Sequence, residues 1–587
     1  MSLNPEPRFR RKTLITAMMC ATLPGLAAAQ GSEPKALEAL DVTASRGQVA
    51  SEATESYISG ASTTSMKMEL SHREVPQAVT VITREQMDDF AQNDINDVLE
   101  GTTGVTVESV ETDRTYYTSR GFDINNFQYD GVGMPAVYDN VQGELDTAFF
   151  DRVEVVRGAN GLMTGSGSPA ATVNFIRKRP TADTNASVAV TGGSWDKKRI
   201  VGDVSGAVSE SGAVRGRVVA GYEDKGSYLD RYNNEKQMFY GVLEADLTDT
   251  TLLTLGHAVQ TSDTDSPLWG ALPLFYSDGS ATDFARSTST ASDWSYWDNT
   301  QHNSFVELRQ ELAGGWRTTG TVFRLENESE SELFYQYGTP DRQTGEGLKA
   351  YPSQYDLDVE QWVVDAYATG PFQLADRTHE LVLGASWSRS ETVDESRYGR
   401  GIGNPLPPLN EWDGNYPKPA FDNGVGGSDW TDRETSTYAA ARWSLTDQLT
   451  AITGLRLTWL DNKGESYGAT KESSYDAVKT PYAGLIYDIN DDHSVYASYT
   501  EIFTPQTEVD INRDRLDPID GVNYELGLKS EFQNDRVNTT IALFQTEQKN
   551  VAEAEGVFSG TNDSYYTAVD GLTSQGVEAE IVGDLTD

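Results

Sequence analysis

The stretch TYYTSRGFDINNFQYDGVGM, Thr115 to Met134, sets Arg120 behind two tyrosines, Tyr116 and Tyr117, and ahead of a glycine. Tyrosine supplies broad, rigid contact area at low entropy cost. Arginine adds a permanent charge on a planar fork of donors. Together they suit non-covalent recognition of a ligand. Residues that would do covalent chemistry lack the spacing for it. GANGLMTGSG, Gly158 to Gly167, is glycine-rich, but no Lys-Ser/Thr pair follows it, so it is not a phosphate loop. His72, His257, His302, His379 and His493 are scattered, without metal-ligand spacing. The 90 acidic residues are spread so widely that no glycosidase pair stands out. No catalytic residue, resident metal or cofactor is expected.

The elements that position the tyrosines and Arg120 belong to an exported chain. Arg8, Arg10, Arg11 and Lys12 precede a short apolar run, TLITAMMCATLPGL, and Ala27-Ala28-Ala29 offers a cleavage site. This pattern reads as a signal peptide over residues 1–29, too short to span a membrane. The single cysteine, Cys20, lies inside it, so the mature chain has no disulfide to stiffen it. The 587 residues carry a net charge of −44, which becomes −47 without the leader. A surface this acidic excludes nucleic acid as a natural partner, because phosphate binding needs basic groups.

Beyond the leader there is no run of eighteen apolar residues, hence no transmembrane helix. From residue 184 onward, however, about sixteen segments alternate in polarity, among them RIVGDVSGAVSE, QMFYGVLEADLT, HELVLGASWSR, NYELGLKSEF and SQGVEAEIVGD. Period two means strand. Short turns such as LTDTT and INDDH alternate with long loops near 263–301, 330–354 and 390–432. That asymmetry is typical of an outer-membrane β-barrel. Residues 51–183 differ, mixing short strands with one expected helix from a capping Thr83 to Gly101, and read as a compact α+β domain ahead of the barrel.

REVPQAVTVIT (Arg73–Thr83), SRGFDINNFQYDG (Ser119–Gly131) and DRVEVVRGANGLMTGSGSPAATVNFIRKRPT (Asp151–Thr181) resemble the plug signatures of TonB-dependent siderophore receptors. Within that family SPLWGALPLFYSDG, EWDGNYPKPAF and EQKNVAEAEG resemble receptors for ferric hydroxamates of the coprogen and rhodotorulic acid type, with ferric-pyoverdine receptors next. The resemblance implies a plug domain inside a 22-stranded antiparallel barrel. On that count the chain stops at GDLTD about six strands short. The resemblance places a TonB box at Glu38, Ala39, Leu40, Asp41, Val42, Thr43 and Ala44, in a periplasmic segment 30–50. It puts Arg120, Tyr116 and Tyr117 at the plug apex as siderophore contacts, with Trp269, Tyr335, Tyr337 and Trp412 as walls contributed by loops. It also pairs Arg157 with Glu525 and Glu578 as a latch from plug to barrel 184–587. The implied protein is a monomer in the outer membrane of a Gram-negative bacterium. It would import a ferric siderophore, iron arriving already chelated, and couple to TonB with ExbB and ExbD. A catecholate or cobalamin cargo, or a passive channel, are the alternative readings.

Overall fold

The computed structural model describes residues 51–532, 536–559 and 564–584. The leader, the segment 30–50 and the seven residues Glu38–Ala44 lie outside the described residues.

A mixed four-stranded sheet organises the first domain. Its order is Val79–Thr83, Phe150–Arg157, Ala171–Arg177 and Asn126–Tyr129, the last pair parallel. The two central strands are buried along their whole length. One face packs Val153, Val155, Val173 and Phe175 into an apolar core, with Phe150 stacked on Phe175 at 4.9 Å. The alternate positions carry Arg152 and Glu154, buried because they pair with each other, and Arg157 at the strand's end is buried against Glu578. A second sheet joins Val105–Ser109, Arg114–Ser119 and Phe122–Asp123, and Val141–Gln142 pairs with the start of Arg114–Ser119.

The single helix expected after Thr83 is two. Thr83 does cap Arg84–Asp89, its hydroxyl accepting from the Gln86 amide. That helix then ends, Ala91 turns with φ 50°, and Asp94 caps a separate helix Ile95–Glu100 by accepting from the Asn96 and Asp97 amides. A side chain that satisfies two free amides restarts a helix more readily than it continues one.

Sixteen long strands follow, from Asn185–Gly192 to Thr573–Gly583, each antiparallel to its neighbours. Their burial alternates with the opposite sense to a soluble barrel. In Asn233–Thr248 the inward Asn234, Lys236, Tyr240 and Glu244 are buried against the plug, while Phe239 and Leu243 point outward and are exposed. Polar lumen and apolar exterior are what a bilayer requires of strands. No helix among the described residues is long and apolar enough to cross a membrane. Most of the strands run beyond the ten or so residues that a bilayer needs, up to 26 in Lys349–Leu374. The expected long loops are therefore shorter, covering 266–295, 338–348 and 399–424.

The strand order runs round a closed circuit. Among the described residues fifteen junctions carry extended residue-by-residue ladders. At the sixteenth the last strand meets the first and closes the barrel. Val188 and Val190 on one side are 71% and 77% exposed, and Val577 and Ile581 on the other 67% and 75%.

Candidate ligand-binding mouth and plug latch

Between the plug apex and the barrel wall lies a cavity of about 1010 Å³. Arg114, Tyr116, Met134 and Tyr138 line it from the plug, and Trp269, Trp297, Tyr355, Trp430, Tyr467 and Lys471 from the barrel and its loops. Trp269 sits edge-on to Tyr355 at 5.3 Å, and the Lys471 ammonium lies 5.2 Å from the Trp430 ring centre. The volume suits one compact, chelate-sized molecule, and the aromatic walls supply rigid contact area.

Strand geometry sorts the plug tyrosines. In Arg114–Ser119 exposure alternates residue by residue. Arg114 and Tyr116 therefore share the cavity face, whereas Tyr117 points into the core and donates its hydroxyl to Asn96 Oδ1 at 2.6 Å. Tyr117 is thus a core residue, not a mouth contact. The expected cation is also displaced. Arg114 is the plug guanidinium at the cavity, 5.6 Å from the Trp297 ring centre and paired with Glu111 at 2.7 Å. The period-two pattern that makes Tyr116 face the mouth would have pointed to Arg114 as well.

Arg120 lies elsewhere. Its side chain is fully buried, on a backbone with φ 53°. Nε and Nη2 donate to the two Glu578 oxygens at 3.0 and 2.8 Å, Nη2 also reaches Glu525 at 2.8 Å, and Nη1 donates to Asn523 Oδ1 at 3.0 Å. The Phe544 ring covers the guanidinium at 4.3 Å. Burial alone would weaken its charge, but Glu525 and Glu578 outweigh burial and hold it more firmly protonated than usual. Its donors are spent on plug-to-barrel contacts, so Arg120 belongs to the latch and does not line the cavity. Arg157 joins the same cluster, donating to Glu578 at 3.0 Å, Thr80 Oγ1 at 2.6 Å and the Thr103 carbonyl at 2.9 Å. Its second carboxylate is Glu580 at 3.5 Å, whereas Glu525 is taken by Arg120 and the Tyr496 hydroxyl.

Of the loop aromatics, Trp269 lines the cavity. Tyr335 packs behind it at 5.8 Å, and Tyr337 behind Tyr335 at 6.3 Å. Trp412 stacks on Phe334 at 5.3 Å, donates to the Ala291 carbonyl at 2.8 Å, and packs against the small apolar core of the loops. None of these three is among the cavity-lining residues. Apolar surface in long loops is spent first on holding the loops together.

Residues 71–172 match the TonB-dependent Receptor Plug Domain, and residues 239–586 match the TonB dependent receptor-like β-barrel. The chain belongs to the TonB-dependent receptor family. It is 38% identical over 568 residues to a ferric-pyoverdine BN7/BN8 receptor of Pseudomonas putida, covering 94% of this chain and 69% of that one. To the ferripyoverdine receptor of Pseudomonas aeruginosa it is 39% identical, with 90% and 66% covered. The chain therefore spans about two thirds of these relatives' length. The structure of the P. aeruginosa outer-membrane receptor bound to ferripyoverdine superposes with a TM-score of 0.86 at 38% identity, over 92% of this chain and 72% of that one. An alcaligin outer-membrane receptor of Bordetella pertussis superposes at 0.73 and 29% identity, covering 92% of this chain and 82% of that one.

Further ionic contacts ring the receptor's plug, and the sequence alone did not reveal them. Glu52 takes a bidentate pair from Arg217 at 2.6 and 2.8 Å. Lys67 pairs with Asp365, which also accepts from Tyr438. Asp146 meets Arg199 at 2.6 Å and Lys236 at 3.1 Å. Glu434 holds Ser166 and Arg456, and Arg177 pairs with Asp130 at 2.8 Å. One plug carboxyl has no such cation. Burial pushes Asp113 up to about 7, against the hydroxyls of Thr112 and Thr264 that donate to it. Unfolded, it would titrate near 3.9. Between about pH 4 and pH 7 the folded state holds the extra proton, so this group's contribution falls as pH rises through that window. Asp113→Asn is expected to flatten the fall and to stabilise the receptor at pH 8 by on the order of 2 kcal/mol. Denaturant titrations at pH 5 and pH 8 measure this. The same pH dependence in both proteins would clear Asp113 of the effect.

Proposed function

We propose that this receptor imports a ferric siderophore of the hydroxamate or pyoverdine type across the outer membrane of a Gram-negative bacterium. The supporting observation is the aromatic cavity of about 1010 Å³ at the plug apex, in a chain 38% identical to a ferric-pyoverdine receptor. The ligand enters as an intact chelate. Iron is cargo, its coordination sphere supplied by the siderophore. Tyr116, Trp269, Trp297 and Trp430 give it flat contact area, and Arg114 and Lys471 face its oxygens. TonB, energised by ExbB and ExbD, engages Glu38–Ala44 by adding a strand to it and drives the transport step. The receptor acts as a monomer. A plug anchored at many points argues against a passive channel.

Tryptophan fluorescence of the purified receptor, titrated with ferric pyoverdine, ferric coprogen and ferric enterobactin, tests the cargo. Saturable quenching by pyoverdine or coprogen at nanomolar concentration, weakened at least tenfold by Trp430→Ala, is expected. Quenching by enterobactin alone would keep the transporter and replace the cargo. No quenching by any of the three would remove the siderophore reading.

A further inference from the structure

The plug loop that lines the cavity holds two consecutive non-glycine residues with left-handed backbone, Tyr138 at φ 57° and Asp139 at φ 56°. Such residues carry strain unless their surroundings hold them. Here Asn140 Nδ2 donates to the Tyr138 carbonyl at 2.8 Å, and Asn125 Nδ2 donates to Asp139 Oδ1 at 2.9 Å. The third restraint crosses from plug to barrel. The Tyr138 hydroxyl donates to Asp394 Oδ2 at 3.0 Å and sits 3.4 Å from Ser428 Oγ, and its ring stands edge-on to Trp430 at 5.4 Å. Tyr138 remains 37% exposed to the cavity, and both Tyr138 and Asp394 line it. Asp394 would not be orphaned if Tyr138 left, because the Tyr467 hydroxyl donates to the same oxygen at 2.7 Å.

We propose that the contact between Tyr138 and Asp394 is a bridge that the bound ligand displaces, and that Tyr138 is the positioning residue that reports occupancy to the plug. This rests on the mouth being the siderophore site. A ligand large enough to fill the cavity competes for the space between Tyr138 and Trp430. Once the hydroxyl is free, the strained pair relaxes. The movement has a physical route onward. Val141 and Gln142, directly after the strained pair and Asn140, pair with Thr115 and Arg114 at the start of the strand that ends beside Arg120. Arg120 is the centre of the latch on Glu525 and Glu578. Only Asn140 thus separates the strained pair from a segment paired with a strand whose far end is a buried ion cluster.

The test uses the full receptor with ferric pyoverdine as probe, comparing wild type with Tyr138→Phe and Asp394→Asn. Tyr138→Phe keeps the ring and removes the hydrogen bond that the ligand must break, so ferric pyoverdine should bind about tenfold tighter, the worth of a bond to a charged acceptor. Amide hydrogen exchange over 136–142 and 114–119 should be faster in both unliganded variants. In wild type, ligand should accelerate it to a similar level. Weaker binding of the Phe variant with unchanged exchange would make Tyr138 an ordinary contact and overturn the bridge. Unchanged binding and exchange would do the same. If no protein binds ferric pyoverdine, pyoverdine is removed as the cargo, and the exchange of the unliganded variants still decides the bridge.

Discussion

Glu578→Ala should destabilise the receptor by about 3–5 kcal/mol, because it leaves two buried guanidiniums short of their shared carboxylate. Arg120 and Arg157 both donate to Glu578, and their side chains are 0% and 1% exposed. Water cannot replace the lost partner at that depth. Glu580→Ala should cost far less, since Glu580 sits 3.5 Å from Arg157 and Arg120 does not depend on it. Replacing Arg120, Arg157, Glu525 and Glu578 together by apolar residues of similar volume should restore much of the loss, as a desolvated ion cluster is a poor source of net stability. Thermal unfolding followed by tryptophan fluorescence separates the three variants. Equal midpoints for Glu578→Ala and Glu580→Ala would show that the cluster does not hold the plug.

Deleting Glu38–Ala44 should abolish uptake of radiolabelled ferric siderophore while leaving its binding affinity within about twofold of the parent. Among the described residues, those that line the cavity begin at Arg114. The plug also keeps its own moorings without the deleted segment. The Ser51 and Glu52 amides donate to the Asp151 carboxylate at 2.9 and 3.0 Å, and Arg217 holds Glu52. An extended segment that adds a strand to a partner acts through its backbone, so single substitutions there should do less than the deletion. Uptake that survives the deletion would sink the coupling role of these residues.

The barrel was open to reading because its side chains obey one rule along sixteen strands, polar inward and apolar outward, and that rule survives without any knowledge of neighbours. It failed only at the strand tops. SELFYQY extends the strand Arg317–Tyr337 to where loops cover both of its faces, so that Leu333 and Phe334 are alike buried and the alternation fades. The latch was half visible. Arg157 could be assigned to Glu578, but Arg120 was misplaced because an arginine behind tyrosines looks the same at a mouth and in a cluster. What decides is Glu525 and Glu578, more than 400 residues away, brought there by strand order. Arg114 was missed although two-residue spacing from Tyr116 marks it. The helix break was visible in principle, since Asp94 with free amides following it is a cap signal.

The anchors around the plug also fix how the domain would come apart under tension. They include, along the chain, Glu52, Lys67, Arg120, Asp146, Arg157, Ser166 and Arg177, the last through Asn303 and Phe305. A pull arriving from the N-terminal side of Ser51 reaches Asp151 and Arg217 first and the rest in succession. The plug is loaded like an adhesive strip lifted from one end, not like a piston driven from below. Peak tension is then set by the strongest single anchor, while the total work is spread over many nanometres of extracted chain. A domain sewn in at many places can thus be both firmly seated at rest and drawn out by a modest, steady tug.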